Sequence, residues 1–162
     1  VRQAQAQPGS PSTPPGSRTQ RSLIRAVIDA GVFIAGTISP DGAPAAIVRA
    51  WQAGAIELVV CPELLRELRR AFSYPRVQRR VSPEAATKLV SLLEEAGLMF
   101  PDPSHIPSVC RDPDYDYLFA LAHDANGVLV SGDGDVLAVQ EPSVRVLTPA
   151  ALVTVLEQDP EE

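Results

Sequence analysis

At 162 residues, with 45% hydrophobic content and a formal net charge of −6, the chain is one domain's worth of sequence with enough apolar side chains for a core. No run approaches the ~18 apolar residues of a membrane span, and residues 1–20 (VRQAQAQPGSPSTPPGSRTQ) lack the apolar stretch of a secretory leader, so neither is expected. Residues 22–162 carry 11 basic against 20 acidic groups, a poor balance for a generic nucleic-acid binder, yet six of the 14 basic residues fall in one strip, Arg66 to Arg80.

Residues 1–22, rich in Gln, Pro, Ser and Gly, are predicted to be a disordered tail, and 159–162 an acidic C-terminal end, around a domain at 23–158. IRAVI (24–28) reads as a β-strand that ends abruptly in Asp29, followed by the small Ala30 and Gly31. SPDGAP is a loop with an Asp-Gly turn, and APAAIVRAWQAG has helical spacing that Gly54 caps. IELVV (56–60) is a second strand, and Pro62 suits the first turn of a helix through ELLRELRRAF. SPEAATKLVSLLEEAG has a full helix grammar: Ser82 caps it, Pro83 opens it and Gly97 ends it. PDPSHIPSVCRDP is a proline-rich loop, after which Asp112-Pro113 starts a helix through DYDYLFALAHDA. GVLVS (127–131) is a strand, GDGD turns into a short helix, VRVL is a last strand and PAALVTVLEQ a last helix. Alternating strands and helices predict a three-layer α/β fold, a mainly parallel central sheet with helices on both faces. Cys61 and Cys110 show no pairing motif and read as small buried thiols in a reduced, cytoplasmic protein.

On a parallel sheet, Asp29 stands at the carboxyl end of the first strand, and Asp133 and Asp135 stand just past the end of GVLVS, on the same edge. Glu67 borders the apolar face of its helix. Asp112 and Asp116, four apart, are predicted to share a helical face, with Asp114 pointing elsewhere. Each acid alone has an ordinary role: strand end, helix cap, turn, or ion pair with Arg66 or Arg70. Gathered together they would repel and raise one another's pKa unless a cation neutralised them, and oxygen-seeking Mg²⁺ or Mn²⁺ is the natural partner.

Other readings of the acids fail on the sequence. Gly31 stands where a haloacid-dehalogenase phosphatase needs a second aspartate. The only lysine, Lys88, lies in a mid-chain helix and not where a receiver domain needs one. An EF-hand loop opened by Asp133 would close on Val144, not glutamate, and no Gly-x-Gly-x-x-Gly follows the first strand. His105 and His123 have no adjacent Ser or Cys and read as surface residues. Tyr115 and Tyr117 suit packing, or base stacking at the rim.

VIDAGVFIAGTISPDGAPAAIV, CPELLRELRRAFSYPRV, CRDPDYDYLFALAHDANGVLVSGDGDVLAV and VLTPAALV, in that order, resemble the PIN-domain proteins, above all the toxin-like ribonucleases of prokaryotic toxin–antitoxin systems. The resemblance implies a metal-dependent endoribonuclease with catalytic acids at Asp29, Glu67, Asp116 and Asp133, and Asp135 as an additional Mg²⁺ or Mn²⁺ ligand. It further implies an RNA substrate, a cognate antitoxin and a homodimer. Arg66, Arg69 and Arg70, around Glu67, are candidates to hold the RNA backbone, or else the solvated face of an amphipathic helix. Where the family usually reads Asp-Thr-Asn or Asp-Ser-Asn, this chain reads Asp29-Ala30-Gly31. That departure keeps a second reading open: a catalytically weakened PIN domain that binds RNA or a protein.

Overall fold

A computed structural model describes residues 23–140 and 143–158; the predicted tail at 1–22 and the acidic end at 159–162 lie outside the described residues. β-Branched residues make the first strand, β1 (Ile24–Ile28), whose Ala26, Val27 and Ile28 are fully buried. Together with β2 (Ile56–Val60), β3 (Leu98–Met99), β4 (Val128–Val130) and β5 (Val146–Leu147) it forms a five-stranded sheet in the order β3-β2-β1-β4-β5. All four pairings are parallel, with Ile24 opposite Ile56 and Ile28 opposite Val130 on the two sides of β1. This is the predicted α/β arrangement of a parallel sheet sandwiched by helices.

Helix α1 (Ala30–Ile38) follows β1 at once. The sequence gives no signal for it, because Gly31, Gly36 and the β-branched Val32, Ile34, Thr37 and Ile38 all weaken helical propensity. Packing makes the helix: a Cβ on Gly36 would come within 3.1 Å of the Pro44 backbone, so glycine lets α1 press against α2 (Ala43–Gln52). Gly54 does end that helix as predicted, with φ at +82° and its N–H on the Trp51 carbonyl.

Leucines 64, 65 and 68 bury one face of α3 (Pro62–Phe72), and a single turn, α4 (Pro75–Gln78), follows it. Ser82 caps α5 (Pro83–Ala96) through the Ala85 N–H at 3.1 Å. A 3₁₀ turn at Pro113–Tyr115 leads into α6 (Asp116–Ala125), which packs on β1 and β4. Asn126, left-handed at φ 54°, stops it. The short α7 (Gly134–Leu137) follows β4, and α8 (Pro149–Gln158) closes the described chain against α2 and β5. Sequence periodicity misses α4 and β3 because four and two residues are too few to show a period. Among the described residues, no single helix is long and apolar enough to cross a membrane.

From β1 the chain winds one way to β2 and β3, then returns to place β4 on β1's other side. Strand order reverses between β1 and β4, and a crevice opens at their carboxyl ends. That crevice holds Asp29, Glu67 and Asp133.

A candidate active site at the carboxyl edge of the sheet

Asp29 is where β1 becomes α1. Its N–H donates to the Val130 carbonyl at 3.0 Å, tying the ends of β1 and β4 together, and its carboxylate caps α1 through the Gly31 N–H at 3.4 Å. Ser131, fully buried at the end of β4, donates its Oγ–H to Asp29 Oδ2 at 2.8 Å and accepts the Asp133 N–H at 3.0 Å. One hydroxyl thus joins the first and fourth acids. Asp133 in turn caps α7, accepting the Asp135 N–H at 2.8 Å.

Asp29, Glu67 and Asp133 line one open cleft of about 1390 Å³, together with Glu63, Asp112 and Asp114. Burial pushes the Asp29 carboxyl above the usual carboxylate range; the Ser131 hydrogen bond opposes this, and the Asp133 charge adds to it. Glu67 is raised for the same first reason, with Asp29 adding repulsion while Tyr117 and Arg70 work against it. Two tyrosines hold the outer carboxylates. Tyr115 donates to Asp133 Oδ2 at 3.0 Å, and Tyr117 donates to Glu67 Oε2 at 2.5 Å. Burial, then the partner carboxylate, pushes both phenols well above their ordinary pKa, so they remain donors at any physiological pH.

Asp116 is not brought to the cleft. It is buried, and its Oδ1 accepts the N–H groups of Val109 at 3.1 Å and Cys110 at 2.8 Å, pinning the proline-rich loop to α6. The expected face shared by Asp112 and Asp116 does not form, because 113–115 is a 3₁₀ turn and four residues there are not one α-helical turn. Asp112 and Asp114 reach the cleft instead. Asp135 likewise does not line it: its backbone N–H caps onto Asp133 and its carbonyl accepts from the Cys110 thiol at 3.4 Å.

The arginine strip divides. Arg66 pairs with Glu63 at 2.5 Å and Asp102 at 3.3 Å, and Arg69 with Glu94 at 2.7 Å, so neither predicted backbone contact faces the cleft. Arg70 does, joined by Arg76, Arg79 and Arg80 from α4 and the turn after it. Tyr74-Pro75, which ends α3 and starts a new turn, was the available signal for this change of direction. Cys61 and Cys110 are free and buried, as the sequence suggests; His105 and His123 are exposed and away from the cleft.

The fold and the cleft define a parallel α/β domain with an acidic centre at its strand-order switch point. A family model described as PIN domain matches residues 25–135, and the chain belongs to that family. It is 23% identical over 125 residues to the uncharacterized protein MJ1680 of Methanocaldococcus jannaschii, a match covering 76% of this chain and 80% of that one. Its fold is similar to that of PAE2754 from Pyrobaculum aerophilum, at 20% identity and a TM-score of 0.57 over 91% of this chain and 99% of that chain. It is also similar to VapBC2 from Rickettsia felis, solved bound to a DNA fragment from their promoter, at 9% identity and a TM-score of 0.53 over 77% and 98% of the two chains.

Proposed function

We propose that this chain is a PIN-domain endoribonuclease, the toxin half of a toxin–antitoxin pair, acting through Asp29, Glu67 and Asp133. The observation that carries the reading is the gathering of these carboxylates in one cleft, where burial above all, with a neighbouring carboxylate charge adding to it, raises both Asp29 and Glu67. A fold that concentrates negative charge at a ligand crevice supports a function that needs it there. The antitoxin partner and the homodimer rest on the sequence resemblance.

In chemistry the three cleft carboxylates fit a hard divalent cation, being hard oxygen donors with charge to offset. In geometry they are held apart: among the described residues no three Asp, Glu, His or Cys side chains converge on one point, and Tyr115 and Tyr117 each occupy a carboxylate oxygen. When bound between Asp29, Glu67 and Asp133, Mg²⁺ or Mn²⁺ would supply the positive charge and Lewis acidity for phosphodiester hydrolysis. Asp29 Oδ2 is committed to Ser131, which leaves Oδ1, with only the long Gly31 contact, as the oxygen that would hold the cation.

The second reading, an RNA- or protein-binding PIN domain with weakened catalysis, is favoured by the two tyrosine hydrogen bonds and by the engagement of Asp116 Oδ1 with the Val109 and Cys110 N–H groups. Total RNA incubated with the protein in millimolar Mn²⁺ separates the two. The nuclease reading expects cleavage by the wild type and none by folded Asp29→Asn. Intact RNA with the wild type rejects it and leaves the binding module.

A further inference from the structure

Among the described residues Arg76, Arg79 and Arg80 make no ion pair, in contrast to Arg66 and Arg69, which are spent on Glu63, Asp102 and Glu94. They stand with Arg70 on the wall of the acidic cleft. Tyr74 and Ile106 line the same cleft with 47% and 53% of their surface exposed, two of the few large hydrophobic side chains the domain leaves uncovered. Unpaired guanidinium groups beside an uncovered aromatic ring, on a domain otherwise acidic, are an unusual local concentration. Four arginines alone would suit any anion; the ring narrows the choice.

We infer that Arg70, Arg76, Arg79, Arg80 and Tyr74 form a track for a single-stranded RNA, the arginines holding successive phosphates and Tyr74 stacking on a base. This rests on the RNA reading above but concerns binding, not cleavage, and locates the strand along Arg70 and the segment 74–80 rather than on Arg66 and Arg69. Aromatic stacking needs an unpaired base, which a duplex does not offer. The acidic floor repels phosphates, so the strand is held along the arginine wall. Arg70, the arginine whose charge acts on Glu67, links the track to the acids.

The test is fluorescence anisotropy with a labelled 12-nucleotide RNA in EDTA, where cleavage cannot occur and a failed nuclease assignment leaves the measurement intact. Four phosphate contacts on a single strand give log K a slope of about −3 against log salt. Arg79→Gln with Arg80→Gln should weaken binding and reduce that slope by about 1.4. Tyr74→Ala should weaken it roughly 5- to 150-fold, and Arg66→Gln with Arg69→Gln should leave it unchanged. All five substituted positions are exposed side chains, and circular dichroism checks the fold. Equal losses from the two arginine pairs, or equal affinity for an RNA duplex, would overturn the track. Saturable binding of a polyglutamate peptide without RNA binding would also overturn it, and would assign the patch to an acidic protein partner.

Discussion

Asp29 and Asp116 are almost equally buried, at 6% and 5% exposure, yet the fold surrounds the two carboxylates differently. Asp116 receives two backbone N–H groups on one oxygen and has α6 and a loop to hold together. Asp29 receives one good hydrogen bond, from Ser131, and faces the charges of Asp133 and Glu67. A buried acid supplied with donors ties backbone together; one crowded by other acids holds charge that those neighbours do not offset. Burial alone does not distinguish them.

The largest effect is expected at Asp116. Alanine there strands the buried Cys110 N–H and the half-buried Val109 N–H, which had a charged acceptor, a loss of about 3 kcal/mol. Urea denaturation should show the midpoint falling at unchanged slope, and a loss under about 1 kcal/mol would show that the loop holds without it.

Asp29→Asn should move stability the other way. Because the Asp29 carboxyl binds its proton more tightly folded than unfolded, its favourable contribution exists below the ordinary carboxylate range and is lost as pH rises through the elevated folded value. In metal-free buffer the variant should therefore melt higher than the wild type at neutral pH, and the gap should close as the solution is acidified. A gap independent of pH would remove the electrostatic explanation.

The smallest effect concerns Gly31, in the first turn of α1. A Cβ there meets nothing within 4 Å and its φ is not positive, so alanine should stabilise the protein by about 0.5 kcal/mol. A matched thermal melt reads this. Destabilisation would mean that the backbone at this edge must adapt in a way alanine prevents.

Strand and helix order were readable because β1, β2, α3 and α5 carry strong local signals: β-branched runs, Pro at a first turn, Ser82 and Gly97. Helix α1 was not, since its apolar residues satisfy the core and not a helical period. Among the acids, Asp29, Glu67 and Asp133 could be placed because strand ends and one helix face fix them. The face expected for Asp112 and Asp116 was not legible, because a 3₁₀ turn at Pro113–Tyr115 changes the angle between them and no sequence period marks it. The tyrosine caps and the division of the arginines depend on pairings across the fold, between residues as far apart as Glu67 and Tyr117 or Arg69 and Glu94, which local pattern does not encode.

The strand order also sets a timetable for the growing chain. β1 sits at the middle of the sheet and is made first, and it acquires β2 early, but the partner on its other flank, where Ala26 meets Val128, emerges only after the intervening helices. At ~5–20 residues per second, that flank stays unpaired for roughly 5–20 s of synthesis, an apolar edge of Ala26, Val27 and Ile28 open to any passing strand. Arg25 within the strand and the Asp29 carboxylate that ends it are then the charges flanking this edge, where charged residues act as gatekeepers against misassembly.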